Sequence, residues 1–66
     1  MDKQIWVFIT MRFPKRFIQL RKEHKLTQQE MADTVGMHIT QVKRYEAGQA
    51  QPSVEILKKI ATAFHV

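Results

Sequence analysis

Apolar residues recur at helical spacing along most of this chain of 66 residues. Phe13, Phe17 and Leu20 stand at positions i, i+4 and i+7, and His24 takes the next place in the same stripe. Polar side chains fill the other faces, which is the pattern of a helix with one buried side. We therefore predict a first helix from about Pro14 to His24, because proline is well suited to the first turn of a helix.

A second helix is predicted to begin after Thr27. Thr27 and Glu30 have the spacing of a capping box, in which the hydroxyl accepts from the N–H of Glu30 and the carboxylate reaches back to the N–H of Thr27. Gly36 is placed to end this helix, because glycine readily adopts the left-handed conformation that closes a helix. The predicted buried stripe is Met31, Ala32 and Val35.

Two further helices follow. In the third, residues 39–47, we expect Val42 and Tyr45 to face inward and Gly48 to end the helix. Ser53 caps the fourth. Its predicted inward stripe is Val54, Leu57, Ile60, Ala61 and Phe64. The sequence contains no internal repeat or long linker, and it therefore predicts one all-α domain over residues 13–66, a small bundle of four to five helices.

Residues 1–12 are predicted to form an N-terminal arm. The run from Ile5 to Ile9 is rich in β-branched and aromatic residues, which favours an extended strand. It is too short to span a bilayer and has no signal-peptide cleavage site. So apolar a segment is expected to be buried against another copy of the chain, which predicts self-association. The alternative is a natural start at Met11, in which case the arm is dispensable.

Charge and composition narrow the classes of function. The net charge is +5, and its whole excess lies in residues 1–25, which hold seven basic and two acidic side chains. A basic segment favours a polyanionic partner such as nucleic acid, although it is also typical of a solvated helix face. The chain has no cysteine, and its three histidines lack metal-ligand spacing. We expect no enzyme, cofactor, metal or small-molecule substrate, no membrane span, and a cytoplasmic location.

The short connection between the second and third helices carries most of the functional information. A turn of three residues, Gly36-Met37-His38, sets two helices at roughly 90 to 120°, the helix-turn-helix arrangement. The outer face of the third helix then projects from the domain, and an α-helix fits the major groove of B-DNA. The side chains predicted to contact base edges there are Ile39, Thr40, Lys43 and Arg44. Gln28, beside the free N–H groups of the second helix, is suited to a phosphate.

The chain resembles the phage repressor and Cro type of helix-turn-helix domain, also described as Xre-like, over about residues 13–66. The resemblance lies in Leu26-Thr27-Gln28-Gln29-Glu30-Met31-Ala32, Val35-Gly36-Met37, Tyr45-Glu46-Ala47-Gly48 and Pro52-Ser53. Capping box, turn glycine, stop glycine and the start of the last helix all fall in register. The resemblance implies that the third helix recognises double-stranded DNA.

The resemblance also implies individual roles. Gln28 and Gln41 are expected to contact phosphates, and Arg21 is expected to form a salt bridge with Glu46. We add Lys22 and Gln49 to the predicted phosphate contacts. The sequence departs from the family in two places: the loop after Gly48 is uncharged here, and His38 stands where the family usually has a serine or threonine cap.

The favoured function is that of a sequence-specific transcriptional regulator, repressor-like and acting as a homodimer on a two-fold DNA site. Two alternatives stay open: a protein-interaction adaptor with the same fold, and the DNA-binding part of an antitoxin or larger regulator. Ile39 also has two readings, contact with a thymine methyl group or packing beside Met37. Lys43 and Arg44 have the alternative of a merely solvated helix face.

Overall fold

The computed structural model describes the backbone of residues 3–65 and the side chains of residues 12–65. This part of the chain holds four helices and no strand: α1 (Lys3–Glu23), α2 (Gln28–Val35), α3 (Ile39–Glu46) and α4 (Val54–Phe64). The predicted all-α class is confirmed. Helices α2 and α3 pack against each other, α1 packs on α3, and α4 packs on α2.

Helix α1 begins earlier than the pattern predicts and is bent at Arg12, whose φ of −126° and ψ of 24° are not helical. The bend is explained by Pro14, which has no N–H to bond to the carbonyl four residues before it. The prediction of an extended arm is wrong, because residues 3–11 are helical. A helix pairs its backbone groups within the segment, whereas a lone strand needs a neighbour. The predicted self-association depends on side chains outside the described residues.

Helix α2 has the predicted start and end. The Thr27 hydroxyl accepts from the N–H of Glu30 at 3.1 Å, and the Glu30 carboxylate accepts from the N–H of Thr27 at 2.8 Å. Gly36, with φ of +83°, closes the helix, and its N–H donates to the Ala32 carbonyl at 2.8 Å. A residue with a Cβ is strained at such a φ, so the turn into α3 favours glycine here.

The capping box makes the stability of the domain sensitive to acid. The backbone N–H of Thr27, and then its hydroxyl, hold the pKa of Glu30 below the ordinary 4.5. The resulting stabilisation is complete above that ordinary value and is lost as the pH falls through the lowered pKa. We expect Glu30→Gln, which keeps an acceptor but cannot titrate, to flatten the dependence of Tm on pH as the pH falls below 4.5.

A matched control is Glu55→Gln, which removes an exposed carboxylate from the first turn of α4. There the Ser53 hydroxyl caps the helix alone, without a reciprocal carboxylate. Glu55→Gln should therefore change the pH dependence of Tm less than Glu30→Gln does. The explanation would be wrong if both variants had the same effect.

The core is formed by residues of all four helices. Tyr45 of α3 makes edge-to-face contacts with Phe13 and Phe17 of α1, with ring centroids 5.6 and 6.0 Å apart, and the two phenylalanine rings stack at 5.1 Å. Such aromatic pairs add about 0.5 to 1.5 kcal/mol each beyond the area they bury. The remaining buried residues are Leu20, Met31, Ala32, Val35, Val42, Ile60 and Phe64. Tyr45 and Val42 thus fix one side of α3, and the opposite side faces outward.

Two expected members of the apolar stripes, Val54 and His24, are exposed. Val54, the first residue of α4, is 54% exposed. Burial increases along the helix, through half-buried Leu57, to buried Ile60 and Phe64. The predicted inward position of Val54 is therefore wrong. His24 is exposed as well, but its ring lies 4.7 Å from that of Phe64 and its Nδ1 lies 2.9 Å from the Leu20 carbonyl.

Candidate nucleic-acid interface

The turn between α2 and α3 determines which residues α3 presents. Gly36 is in the left-handed region and His38 is extended, so the chain changes direction within three residues. Met37, half-buried between them, packs against the core and holds the turn to the domain. The two helices contact each other across this short turn.

The outer face of α3 carries the four residues predicted to contact bases. Successive residues of a helix are about 100° apart, so Ile39, Thr40, Lys43 and Arg44 fall within an arc of about 140°. Thr40, Lys43 and Arg44 are exposed. Val42, fully buried, projects from the opposite side of the helix. The face therefore combines a hydroxyl with two cationic groups on a rigidly packed helix.

Ile39 lies at the edge of this face. It is half-buried and packs against the core, together with Met37. Part of the side chain therefore packs against the core. The exposed remainder still lies next to Thr40 on the outer face, so contact with a thymine methyl group stays a prediction.

Arg21 and Glu46 form the predicted ion pair, in bidentate geometry. Arg21 Nε donates to Glu46 Oε2 at 2.7 Å and its Nη2 donates to Oε1 at 3.1 Å. The third contact of the guanidinium is a bond from Nη1 to the Leu26 carbonyl at 2.9 Å, just before α2. The pair is only 16% and 9% exposed, and it joins the end of α1 to the end of α3. The negative charge of Glu46 is thereby compensated, which leaves Lys43 and Arg44 to set the charge of the outer face.

Gln28, the predicted phosphate ligand at the start of α2, belongs to the same cluster. Its Nε2 donates to Glu46 Oε1 at 3.2 Å, and the side chain is half-buried. This bond fixes which end of the amide points inward. One N–H of the amide group then stays available, because an amide nitrogen carries two hydrogens. A phosphate contact from Gln28 would therefore be made by an amide that Glu46 already orients.

His38 caps α3. Its ring Nδ1 accepts from the backbone N–H of Thr40 at 3.3 Å, and the backbone N–H of His38 donates to Gln41 Oε1 at 3.1 Å. The amide oxygen of Gln41 is thus occupied, and its NH₂ group, on an exposed side chain, is the end left for a phosphate. The departure from the usual serine or threonine therefore leaves the cap in place.

The remaining predicted phosphate contacts lie at two helix ends. Lys22 is exposed in the last turn of α1, and Gln49 is exposed just after α3, where its backbone N–H donates to the Arg44 carbonyl at 2.9 Å. Gly48, with φ of +73°, makes this closure possible. Over residues 12–65, the side chains of Lys22 and Gln49 form no hydrogen bond with the other predicted site residues.

Two hydrogen-bonded features near the outer face of α3 were not predicted from the sequence. The bond between Gln28 and Glu46 joins residues 18 apart and has no sequence signal. The His38 cap has one, because His38 and Gln41 keep the spacing of a capping box with an imidazole in place of the hydroxyl. Among the residues that the structure describes, no helix is long and apolar enough to cross a membrane, and no group of three or more histidine, cysteine or acidic side chains is suited to a metal ion.

Comparison with known proteins gives two matches. Residues 17–66 match the model of the helix-turn-helix family HTH_3. The chain is also 39% identical, over 56 residues, to the cryptic phage CTXphi transcriptional repressor RstR of Vibrio cholerae serotype O1 (strain ATCC 39315 / El Tor Inaba N16961). The match covers 85% of this chain and 50% of the relative, so the chain spans about half the length of that repressor. No solved structure matches significantly.

Proposed function

Because this chain belongs to the helix-turn-helix family of the Cro and Xre type, we propose that it is a sequence-specific DNA-binding domain of a transcriptional regulator, acting as a repressor. The observation that carries the proposal is the outer face of α3. It presents Lys43 and Arg44 on a helix whose other side is locked into the core by Val42 and Tyr45. The proposed activity is binding rather than catalysis, and the proposed location is the cytoplasm.

The dimensions of α3 support insertion into the major groove. An α-helix with its side chains is about 10 to 12 Å in diameter, and the major groove of B-DNA is about 12 Å wide. Arg44 and Lys43 have the donors that guanine O6 and N7 accept. In the proposed complex these two side chains and Thr40 face base edges, and Ile39 contacts a thymine methyl group.

Phosphate contacts are assigned to the residues around that face. Gln28 and Gln41 each keep amide N–H donors beyond the bonds they make to Glu46 and to the N–H of His38. Lys22 supplies a mobile positive charge and Gln49 a neutral donor. Contacts of this kind fix the register of the protein on DNA without reading its sequence.

A homodimer on a two-fold DNA site is part of the proposal. One helix of eight residues reaches only a few base pairs, and a second copy one helical turn away, roughly 34 Å, doubles the sequence that is read. Closed two-fold symmetry is the commonest arrangement of oligomers.

The test begins with selection of bound duplexes from a random library, using the full chain. We expect enrichment of one palindromic sequence. The affinity for that duplex and for a scrambled one is then measured across a salt series. The logarithm of affinity should fall against the logarithm of salt concentration by about 0.9 per phosphate neutralised.

The outcomes separate the classes of function. An enriched sequence with steep salt dependence supports the proposal, and an enriched sequence without a palindrome removes the dimer from it. Binding without any enrichment, or an affinity indifferent to salt, would contradict sequence-specific DNA binding and favour the adaptor alternative.

A further inference from the structure

The hydrogen bonds at the start of α3 indicate which ring nitrogen of His38 carries the proton. A backbone N–H can only donate, so the bond from the N–H of Thr40 requires a lone pair on His38 Nδ1. The proton of the neutral ring is then on Nε2. This tautomer makes Nδ1 a pure acceptor at the N-terminus of the helix predicted to face DNA.

The Thr40 side chain contacts the same atom. Thr40 Oγ1 lies 3.2 Å from His38 Nδ1. Because Nδ1 carries no proton in this tautomer, that contact is a hydrogen bond only if the hydroxyl is the donor. A hydroxyl has one proton and two lone pairs. With its proton directed at the ring, the exposed Thr40 hydroxyl offers only acceptors to a partner.

We propose that His38 is a specificity-determining positioning residue, which makes the Thr40 hydroxyl an acceptor that reads an exocyclic amino group in the major groove. Adenine N6 and cytosine N4 are the donors there, whereas guanine O6 and thymine O4 are acceptors. Thr40 therefore selects adenine or cytosine at the base it faces and disfavours guanine and thymine. The inference rests on the proposed function and adds the chemical class of base that one position recognises.

His38, Thr40 and Gln41 supply the polar groups of this cap. The backbone N–H of His38 donates to Gln41 Oε1, and the ring is held at the cap by Nδ1, which accepts from the N–H of Thr40. Both Thr40 and Gln41 are uncharged. The orientation of the hydroxyl is therefore set by the hydrogen-bonding capacity of the cap residue, which substitution can change without removing the cap.

Two variants of His38 distinguish a capping atom that only accepts from a capping atom that also donates. Asparagine and serine are both strong cap residues. In His38→Asn the side-chain carbonyl caps the helix and accepts, as Nδ1 does. In His38→Ser the hydroxyl of the cap can also donate, which frees Thr40 to act as donor or acceptor. Both variants are expected to fold, which circular dichroism and Tm verify before binding is measured.

The experiment uses the full chain and duplexes selected from a random library with the unmodified protein. Thr40→Val keeps the shape of the side chain but deletes the hydroxyl. The base position at which this variant loses its preference is the position that Thr40 reads. At that position we compare affinities for duplexes with an amino base and with a keto base. The unmodified chain and His38→Asn should prefer the amino base by about 5- to 150-fold. His38→Ser should reduce the preference to within about threefold, and adding Thr40→Val to it should reduce it no further.

Three results would overturn this proposal. These are a full preference kept by His38→Ser, effects of His38→Ser and Thr40→Val that add independently, and an effect of His38→Ser at a different position, which would make His38 a direct contact. Each of these leaves DNA binding itself intact. Failure of the unmodified chain to enrich any sequence is a different outcome, since it overturns the proposed function together with this inference.

Discussion

Replacing Glu46 by alanine is expected to lower the free energy of unfolding by about 3 to 5 kcal/mol. The carboxylate accepts two bonds from Arg21 and one from Gln28, and the ion pair is only 16% and 9% exposed. Removing it leaves the guanidinium largely out of water without its counter-charge. A small domain has a total stability of about 5 to 15 kcal/mol, so the loss is a large part of the whole. Urea denaturation followed by circular dichroism measures it.

A second ion pair of the same chain is the control. Arg16 and Glu23 lie 3.9 Å apart and are 36% and 50% exposed. Glu23→Ala should therefore cost less than about 1 kcal/mol. If Glu46→Ala does not fold, Glu46→Gln, which keeps acceptor oxygen for Arg21, should give an intermediate stability. An unchanged Tm in Glu46→Ala would mean that the pair has no structural role.

A double variant tests the physical reason. Because the cost comes from an unpaired charge, replacing both partners by apolar residues, Arg21→Met with Glu46→Leu, should destabilise less than either single truncation to alanine. A loss equal to the sum of the two single losses would show that the charges do not act on each other.

Arg44→Ala is expected to weaken binding to the selected DNA site by about 1 to 3 kcal/mol, or roughly 5- to 150-fold, and to relax specificity at one or two positions. The reason is that a guanidinium on the outer face of α3 matches the paired acceptors of guanine. Arg44 is exposed, so the fold should survive the change. Titration of the selected and scrambled duplexes, with Tm as a check on folding, measures both effects.

Lys22→Ala is the matched comparison, because it removes an exposed cation from α1 instead of from α3. It should weaken binding to all sequences about equally and reduce the salt slope by about 1. If Arg44→Ala gave equal losses on the selected and the scrambled duplex, Arg44 would be a phosphate contact and base reading would belong to Thr40 and Lys43.

Local signals in the sequence were sufficient for most of the fold. The capping box of Thr27 and Glu30 and the glycines Gly36 and Gly48 act within one turn of a helix, so their positions predict the ends of α2 and α3. The burial of Val42 and Tyr45 follows from helical spacing. The pair of Arg21 and Glu46 came from the resemblance to a known family, because no local pattern joins residues 25 apart.

Two predictions were wrong because they depended on the surroundings of a segment, which the local pattern does not contain. Val54 has the spacing of a buried residue, but the end of α4 that carries it is open to solvent. The β-branched run from Ile5 to Ile9 favours a strand by propensity, yet a strand needs a partner and the helix does not.

The sequence by itself determined α2, α3 and α4, the caps at the start of α2 and α4, the turn between α2 and α3 and the outward side chains of α3, since all of these depend on residues close in the chain. Only the tertiary structure decided how the polar groups are used. It brought Gln28 to Glu46 across 18 residues, and it turned the ring of His38 so that Nδ1 receives the N–H of Thr40. Hydrogen bonds depend on ångström distances and on direction, which packing of the helices sets and residue spacing alone does not.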